Sequence, residues 1–157
     1  MDYRLSTSFA ELMVARAQLG DLDRFYPDFD NWFVNQVVPG VLLHRDPFVV
    51  AEDAGSLVGL AIARGGDRPK LRCIRVSEPY RGRGVGLHLL DRVLAAVDCD
   101  KPEVTVAEEM MATWAPILTN RYDFDLTVVH KGLYRRGKVE YAYNAPKGKS
   151  IPTPYGR

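Results

Sequence analysis

The stretch SEPYRGRGVGLHLLDRV, Ser77 to Val93, decides how the rest of the chain is read. Its second half is an amphipathic helix: Val85, Leu89, Leu90 and Val93, with Leu94 and Val97 beyond, recur at helical spacing. His88, Asp91, Arg92 and Ala95 fall on the opposite face. Its entrance holds Arg81, Gly82, Arg83, Gly84 and Gly86. Glycine inside a helix costs roughly 1 kcal/mol relative to alanine, so packing does not account for it. A β-rich run, LRCIRV, leads into this entrance. Strand, glycine turn and helix N-terminus together make an anion site, because successive N–H groups converge, the helix dipole favours negative charge, and a ligand can approach the bare backbone. Phosphate is the expected guest.

Upstream, Ser8 with Glu11 three positions on reads as a capping pair opening a first helix, with Phe9, Leu12 and Met13 at helical spacing before Gly20. Phe29, Trp32, Phe33 and Val37 form the stripe of a second short helix that Pro39-Gly40 is expected to end. The run from Pro47 to Gly65 reads as a hairpin turning at Asp53, Ala54, Gly55 and Ser56. Downstream, EVTVAE is a short strand. TWAPILTNRY is a short helix that Thr113 would cap, with Pro116 in the tolerated first turn. DLTVVHKGLYRRGKVEYAYN closes the fold as a strand pair.

The order strand-helix-helix-strand-strand-strand-helix-strand-helix-strand-strand makes this an α/β fold, one domain over residues 1–144. Hairpins require antiparallel pairs and the crossovers parallel ones, so the sheet is mixed. Residues 145–157, rich in Pro, Gly and Lys, read as a disordered basic tail.

Composition narrows the classes. The chain has 157 residues, 46% hydrophobic and 26% charged, which suits one globular core. Lys plus Arg number 21 against 20 for Asp plus Glu, so no global charge supports nucleic acid as a partner, without excluding it. Cys73 and Cys99 show no metal-type spacing and are too few for a disulfide scaffold. With no export signal and no membrane-length apolar run, the expected compartment is the cytoplasm and no membrane partner is expected.

Two familiar phosphate loops fail on spacing. No Lys-Ser or Lys-Thr follows the glycines, as a Walker A loop requires. Leu87 stands where a dinucleotide fingerprint has its third glycine. Arg81-Gly82-Arg83-Gly84-Val85-Gly86 instead resembles the pyrophosphate loop of the GNAT superfamily of N-acyltransferases, Gln or Arg, two variable residues, Gly, one variable residue, then Gly or Ala. IRVSEPY is similar to the strand that runs into that loop, with one extra residue between Val76 and Pro79. EVTV, the ending RYDF and the terminal strand pair continue the likeness, which is weak over the first 45 residues.

The resemblance implies a splayed central mixed sheet flanked by helices and acetyl-CoA as cofactor. It implies backbone N–H groups from Arg81 to Gly86 (Arg81, Gly82, Arg83, Gly84, Val85, Gly86) on the pyrophosphate, and the edge of Ile74, Arg75 and Val76 pairing with pantetheine. Arg81, Arg83, Arg72 and Arg75 are candidates to add charge, or are an ordinary solvated face. The implied activity is direct transfer of an acetyl group to a primary amine on a small molecule or a protein. GNAT-like proteins are often dimers, and a homodimer through an exposed final strand is left open.

The chemistry needs a proton acceptor for the amine and a donor for the thiolate. Glu108, just past the fifth central strand, is the candidate base, with Glu109 a solvent-facing neighbour. Thr119 stands where the family's acidic tyrosine is expected, so the acid is sought elsewhere. Tyr134, near the turn of the last hairpin, is the candidate. Setting Tyr122-Asp123-Phe124 against the family's usual hydrophobic-Gly-Phe ending, which is what puts Thr119 at the acid position, implies that Tyr122 faces the core. His44 and His130 titrate in a suitable range but read as surface or strand residues. Cys73 reads as filler, since direct transfer needs no covalent enzyme intermediate.

Signals for the acceptor conflict. Tyr26, Phe29, Trp32 and Phe33 form either a pocket wall or core. Asp21, Asp23, Asp28 and Asp30 would suit a cationic amine, whereas the basic HKGLYRRGK hairpin would suit an acidic acceptor. The missing tyrosine also keeps an alternative open, a catalytically weak or inactive acyl-CoA-binding regulatory module.

Overall fold

The computed structural model describes residues 1–147. A seven-stranded sheet runs β1 (Asp2–Leu5), β2 (Phe48–Asp53), β3 (Ser56–Arg64), β4 (Lys70–Val76), β5 (Glu103–Ala107), β7 (Val139–Tyr143), β6 (Leu126–Lys131) in spatial order. All neighbours are antiparallel except β4 and β5, which are parallel and joined by the crossover helix α4 (Val85–Val97). This is the mixed α/β sheet that the order of elements requires.

Side chains alternate across the sheet and build a core on each face. Val49, Ala51, Ala61 and Ala63 pack towards Leu89, Leu90 and Val93 of α4. Phe48, Val50, Leu60 and Ile62 pack towards Leu12, Ala15, Trp32 and Phe33 of the N-terminal helices. Helix α4 buries the apolar stripe read from its sequence, and Gly59 lets it lie close on β3, since a Cβ there would meet Leu89 Cδ1 at 2.9 Å.

α1 (Phe9–Gln18) starts at Ser8, whose Oγ accepts from the Glu11 N–H at 3.2 Å. Glu11 does not complete a reciprocal box. Its carboxylate turns to Arg4 and Ser6 on the β1 side, and chiefly the Arg4 bond holds it below the usual carboxylate range.

Pro39 and Gly40 do not end the second helix. α2 (Phe29–Trp32) widens into a π-helical turn, Phe33–Val37, and continues as α3 (Val38–Leu42). The Val38 N–H reaches back five residues to Phe33 C=O, so Pro39 enters at the start of a new α segment, where its missing N–H is tolerated. Gly40 makes room for the buried Asp46 carboxylate, whose Oδ2 would lie 2.0 Å from a Cβ.

Helix α5 (Met111–Pro116) also begins earlier than expected, from a 3₁₀ turn at Glu108–Met110. Thr113 is therefore interior rather than a cap, and Pro116 is the last residue of α5 before a second π-helical turn, Ile117–Arg121. Of the expected tail, residues 148–157 lie outside the described residues. Ala145 is buried, and its N–H donates to Thr127 Oγ1 at 3.0 Å. Among the described residues no helix is long and apolar enough to cross a membrane.

Candidate active site

Strands β4 and β5 pair at only two positions, Lys70 with Glu103 and Leu71 with Val104. Beyond them the strands separate, and a cavity opens between Leu71–Arg75 and Val104–Ala107. The closed end carries Lys70 and Glu103, 3.9 Å apart with both side chains nearly buried. At the open end β4 keeps its partner on one side only, since Ser77 N–H donates to Val58 C=O on β3 at 2.8 Å. Amides alternate in direction along a strand, so those of Ile74 and Val76 face the open side.

The glycine loop continues directly from this edge. Gly82 and Gly84 have φ of 72° and 81°, and a Cβ on either would meet nothing within 4 Å. Neither glycine answers a packing need; each supplies a left-handed turn and open space over the backbone. Gly84 is the N-cap of α4 and has no side chain to accept from the first-turn amides. Those N–H groups, at the head of a 13-residue helix and the positive end of its dipole, have no side-chain cap. Arg81 folds back, its Nε donating to Val76 C=O at 2.9 Å. Arg83 lies over the Tyr80 ring at 5.7 Å, and the Tyr80 hydroxyl donates to Asp53 at 3.0 Å. A second cavity beside the loop is lined by Arg75, Val76, Ser77, Glu78 and Arg81. Residues 74–86 thus form one path from the open strand edge to the helix N-terminus, and their geometry fits an extended ligand ending in a phosphate.

The wall facing β4 comes from the 3₁₀ segment Gly20–Arg24 and the two residues after it. Asp21 forms an ion pair with Arg75, and both residues line both cavities. Tyr26 lines the first cavity and meets Tyr134 edge-on at 5.2 Å. Phe29, Trp32 and Phe33 are core, so only Tyr26 of that aromatic set reaches the cavity. Arg72 lines the floor, paired with Asp46 at 2.9 Å, both side chains almost wholly buried, beneath the Trp32 ring. Burial pushes the Arg72 guanidinium below its ordinary value, against the opposing pull of Asp46.

Of the two proton-transfer candidates, neither forms the first cavity's wall. Glu108 directly follows the lining residue Ala107 and pairs with Lys138 at 3.1 Å. Tyr134 is buried behind Tyr26 rather than exposed at a turn. Glu109 takes a bidentate bond from Arg135 at 2.7 and 2.8 Å, and chiefly that bond holds its carboxyl down to about 2. Thr119 is exposed, and Leu118 faces the cavity from the π-helical turn, with Trp114 one turn before it. The Tyr122 hydroxyl donates to Asp91 on α4 at 2.6 Å, outside the cavity. His44 is exposed in the loop before β2, and His130 stands opposite Glu140 on β6.

Sequence reasoning missed Trp114, Met110 and Leu22 as lining residues. Their helical spacing carried no signal that distinguished a cavity from a core.

A strand edge opened by splaying and a capless glycine helix start thus lie side by side in one mixed α/β sheet. A family model described as the acetyltransferase (GNAT) family matches residues 7–110, more than half of the chain. The chain belongs to that family, as its loop indicated. Its fold is shared with solved structures of low identity. A ribosomal-protein-alanine N-acetyltransferase from Brucella melitensis is 18% identical, with TM-score 0.71, covering 91% of this chain and 98% of its own. YncA from Salmonella typhimurium, solved with its cofactor acetyl-CoA, is 18% identical, with TM-score 0.66, covering 95% and 99%. A spermidine N-acetyltransferase chimera of Vibrio cholerae SpeG and hSSAT is 17% identical, with TM-score 0.64, covering 91% and 95%. No curated protein matches the chain.

Proposed function

We propose that this chain transfers an acetyl group from acetyl-CoA directly to an amine. The observation that carries this reading is the continuity of the open β4 edge with the capless N-terminus of α4. In it, the Arg81–Gly86 amides hold the pyrophosphate, with the guanidiniums of Arg81 and Arg83 beside them. The Ile74 and Val76 amides receive the pantetheine chain as an added strand. Acetyl-CoA, when bound, supplies the activated acyl carbon and a thiol leaving group.

The chain's own residues then align the acceptor and manage protons. Tyr26 and Trp114 confine the amine between the separated strands, which raises its effective concentration at the reacting centre. Glu108, which follows the lining residue Ala107 in the chain and does not itself line the cavity, takes the amine proton through a water. Tyr134 acts through Tyr26, which it supports edge-on. The alternative, an acyl-CoA-binding module with little turnover, draws on the π-helical turn after α5, where Leu118 presents no exchangeable proton to the cavity.

Calorimetric titration with acetyl-CoA, CoA and ATP tests the reading, followed by an amine screen monitored for acetylated product. Binding of both CoA species without ATP, and product from at least one amine, is expected. Tight CoA binding with no product from any amine favours the module, and absence of CoA binding overturns both readings.

A further inference from the structure

The acidic residues between Asp21 and Asp30 and the basic hairpin before β7 suggest opposite acceptors, and the fold answers most of these charges internally. Asp21 is paired with Arg75, Asp30 with Arg16 at 2.8 Å, and Asp28 accepts from the Asn31 amide at 3.0 Å. Asp23 is exposed and does not line the cavity. Across the site, Arg135 is held by Glu109 and Lys138 by Glu108, while Arg72 is held by Asp46.

Arg24 is the exception. It lines the cavity, and among the described residues it has no carboxylate within ion-pair distance. Its guanidinium is not loose, because its central carbon sits 4.6 Å from the centroid of the buried Phe25 ring. Arg135 approaches the same ring at 5.2 Å. Stacking on a ring fixes the plane of a guanidinium and leaves its N–H edge free to form a forked bond with an oxyanion. Arg135 already has two N–H groups engaged by Glu109; Arg24 has its fork available. Among the charged residues that line the cavity, Asp21, Arg72 and Arg75 are paired and Arg24 is not, so the unanswered charge facing the cavity is positive, which opposes a polycation and favours an anion.

We infer that the acceptor is an amine carrying a carboxylate or phosphate in the same molecule, and that Arg24, stacked on Phe25, is the residue that selects it. The inference rests on the acetyl-transfer reading above and adds the acceptor class to it. In this arrangement the anionic group docks at the cavity mouth on Arg24 while the amine points inward between β4 and β5. A neutral amine lacks the mouth contact, and a polyamine meets a like charge there.

The test is a balanced panel assayed with acetyl-CoA: γ-aminobutyrate with its amide, phosphoethanolamine with ethanolamine, the dipeptides Glu-Ala and Gln-Ala, and spermidine. At least one anionic member is expected to exceed its neutral twin tenfold or more in kcat/KM, and the two oxyanion arms tell carboxylate from phosphate. The same preference is expected to fall below threefold in Arg24→Ala, mainly through acceptor KM, and to be partly kept in Arg24→Lys, with thermal unfolding checking that both variants fold. Equal or better use of neutral or cationic members, no use of any anionic member, or an Arg24→Ala protein that keeps the full preference would overturn the inference. Acetyl-CoA titration run in parallel separates the levels: intact cofactor binding with the wrong acceptor preference sinks the Arg24 assignment alone, whereas absent cofactor binding sinks the reading beneath it.

Discussion

The glycine loop at residues 81–86 and the wall at residues 21–26 flank the same strand, β4, and are built in opposite ways. The loop is made of backbone, and its contacts close locally. Tyr80 N–H donates to Ser77 C=O at 2.9 Å, and Arg81 returns to Val76. The wall is made of side chains, and three of them are held by remote partners: Asp21 by Arg75, Tyr26 by Tyr134, Phe25 by Arg135. A site made from backbone leaves its record in adjacent residues. A site made from side chains depends on which strands and loops the fold brings near it.

The sharpest way to break the loop side is the pair Gly84→Trp with Gly86→Trp. Open space above Gly84 means that the large side chain fills the ligand's place before it disturbs the core. Loss of acetyl-CoA binding by a hundredfold or more is expected in titration. A cost of about 1–2 kcal/mol from the positive φ at Gly84 is expected in thermal unfolding. Unchanged acetyl-CoA affinity in a folded protein would refute the loop assignment.

The wall side breaks through its foundation. Asp46→Ala removes the carboxylate paired with buried Arg72 and also leaves the Gly65 N–H, now bonded to Asp46 at 3.1 Å, without that acceptor. Stranding a buried charge typically costs about 3–5 kcal/mol, so chemical denaturation should show a fall of that size. A change below 1 kcal/mol would mean that Arg72 is not electrostatically dependent on Asp46.

A finer comparison uses Glu109, which ties the end of β5 to the hairpin loop through Arg135 and Lys138. Its folded pKa, about 2, lies below its ordinary value of 4.5, so its stabilising effect is fully present above pH 4.5 and is lost as pH falls towards 2. Glu109→Gln should therefore be less stable than the parent at neutral pH, with the gap closing between pH 4.5 and 2. The side chain is about a third exposed, so the gap at neutral pH should be modest. Parallel stability curves across that range would show that the bidentate bond contributes nothing.

Much of the fold was legible because its patterns are local. The stripe of α4 follows from the helical period, and the β2–β3 hairpin from two β-rich runs either side of a turn. Two helix boundaries were not legible. Pro39 and Pro116 both lie within helical runs that include a π-helical turn, and a widened turn has no sequence signature of its own. The same effect bears on the acid position: counting back from Phe124 points to Thr119, while the π-helical turn turns Leu118 to the cavity and leaves Thr119 exposed.

By itself the sequence determined the mixed α/β fold, the glycine-capped start of α4 and membership of the GNAT family, because a glycine turn between a strand and a helix constrains its own backbone. Only the tertiary structure decided which charges around the cavity are answered. Ion pairs such as Asp21 with Arg75 and Arg72 with Asp46 join residues far apart in the chain, and Coulomb attraction acts on distance in space, which topology sets.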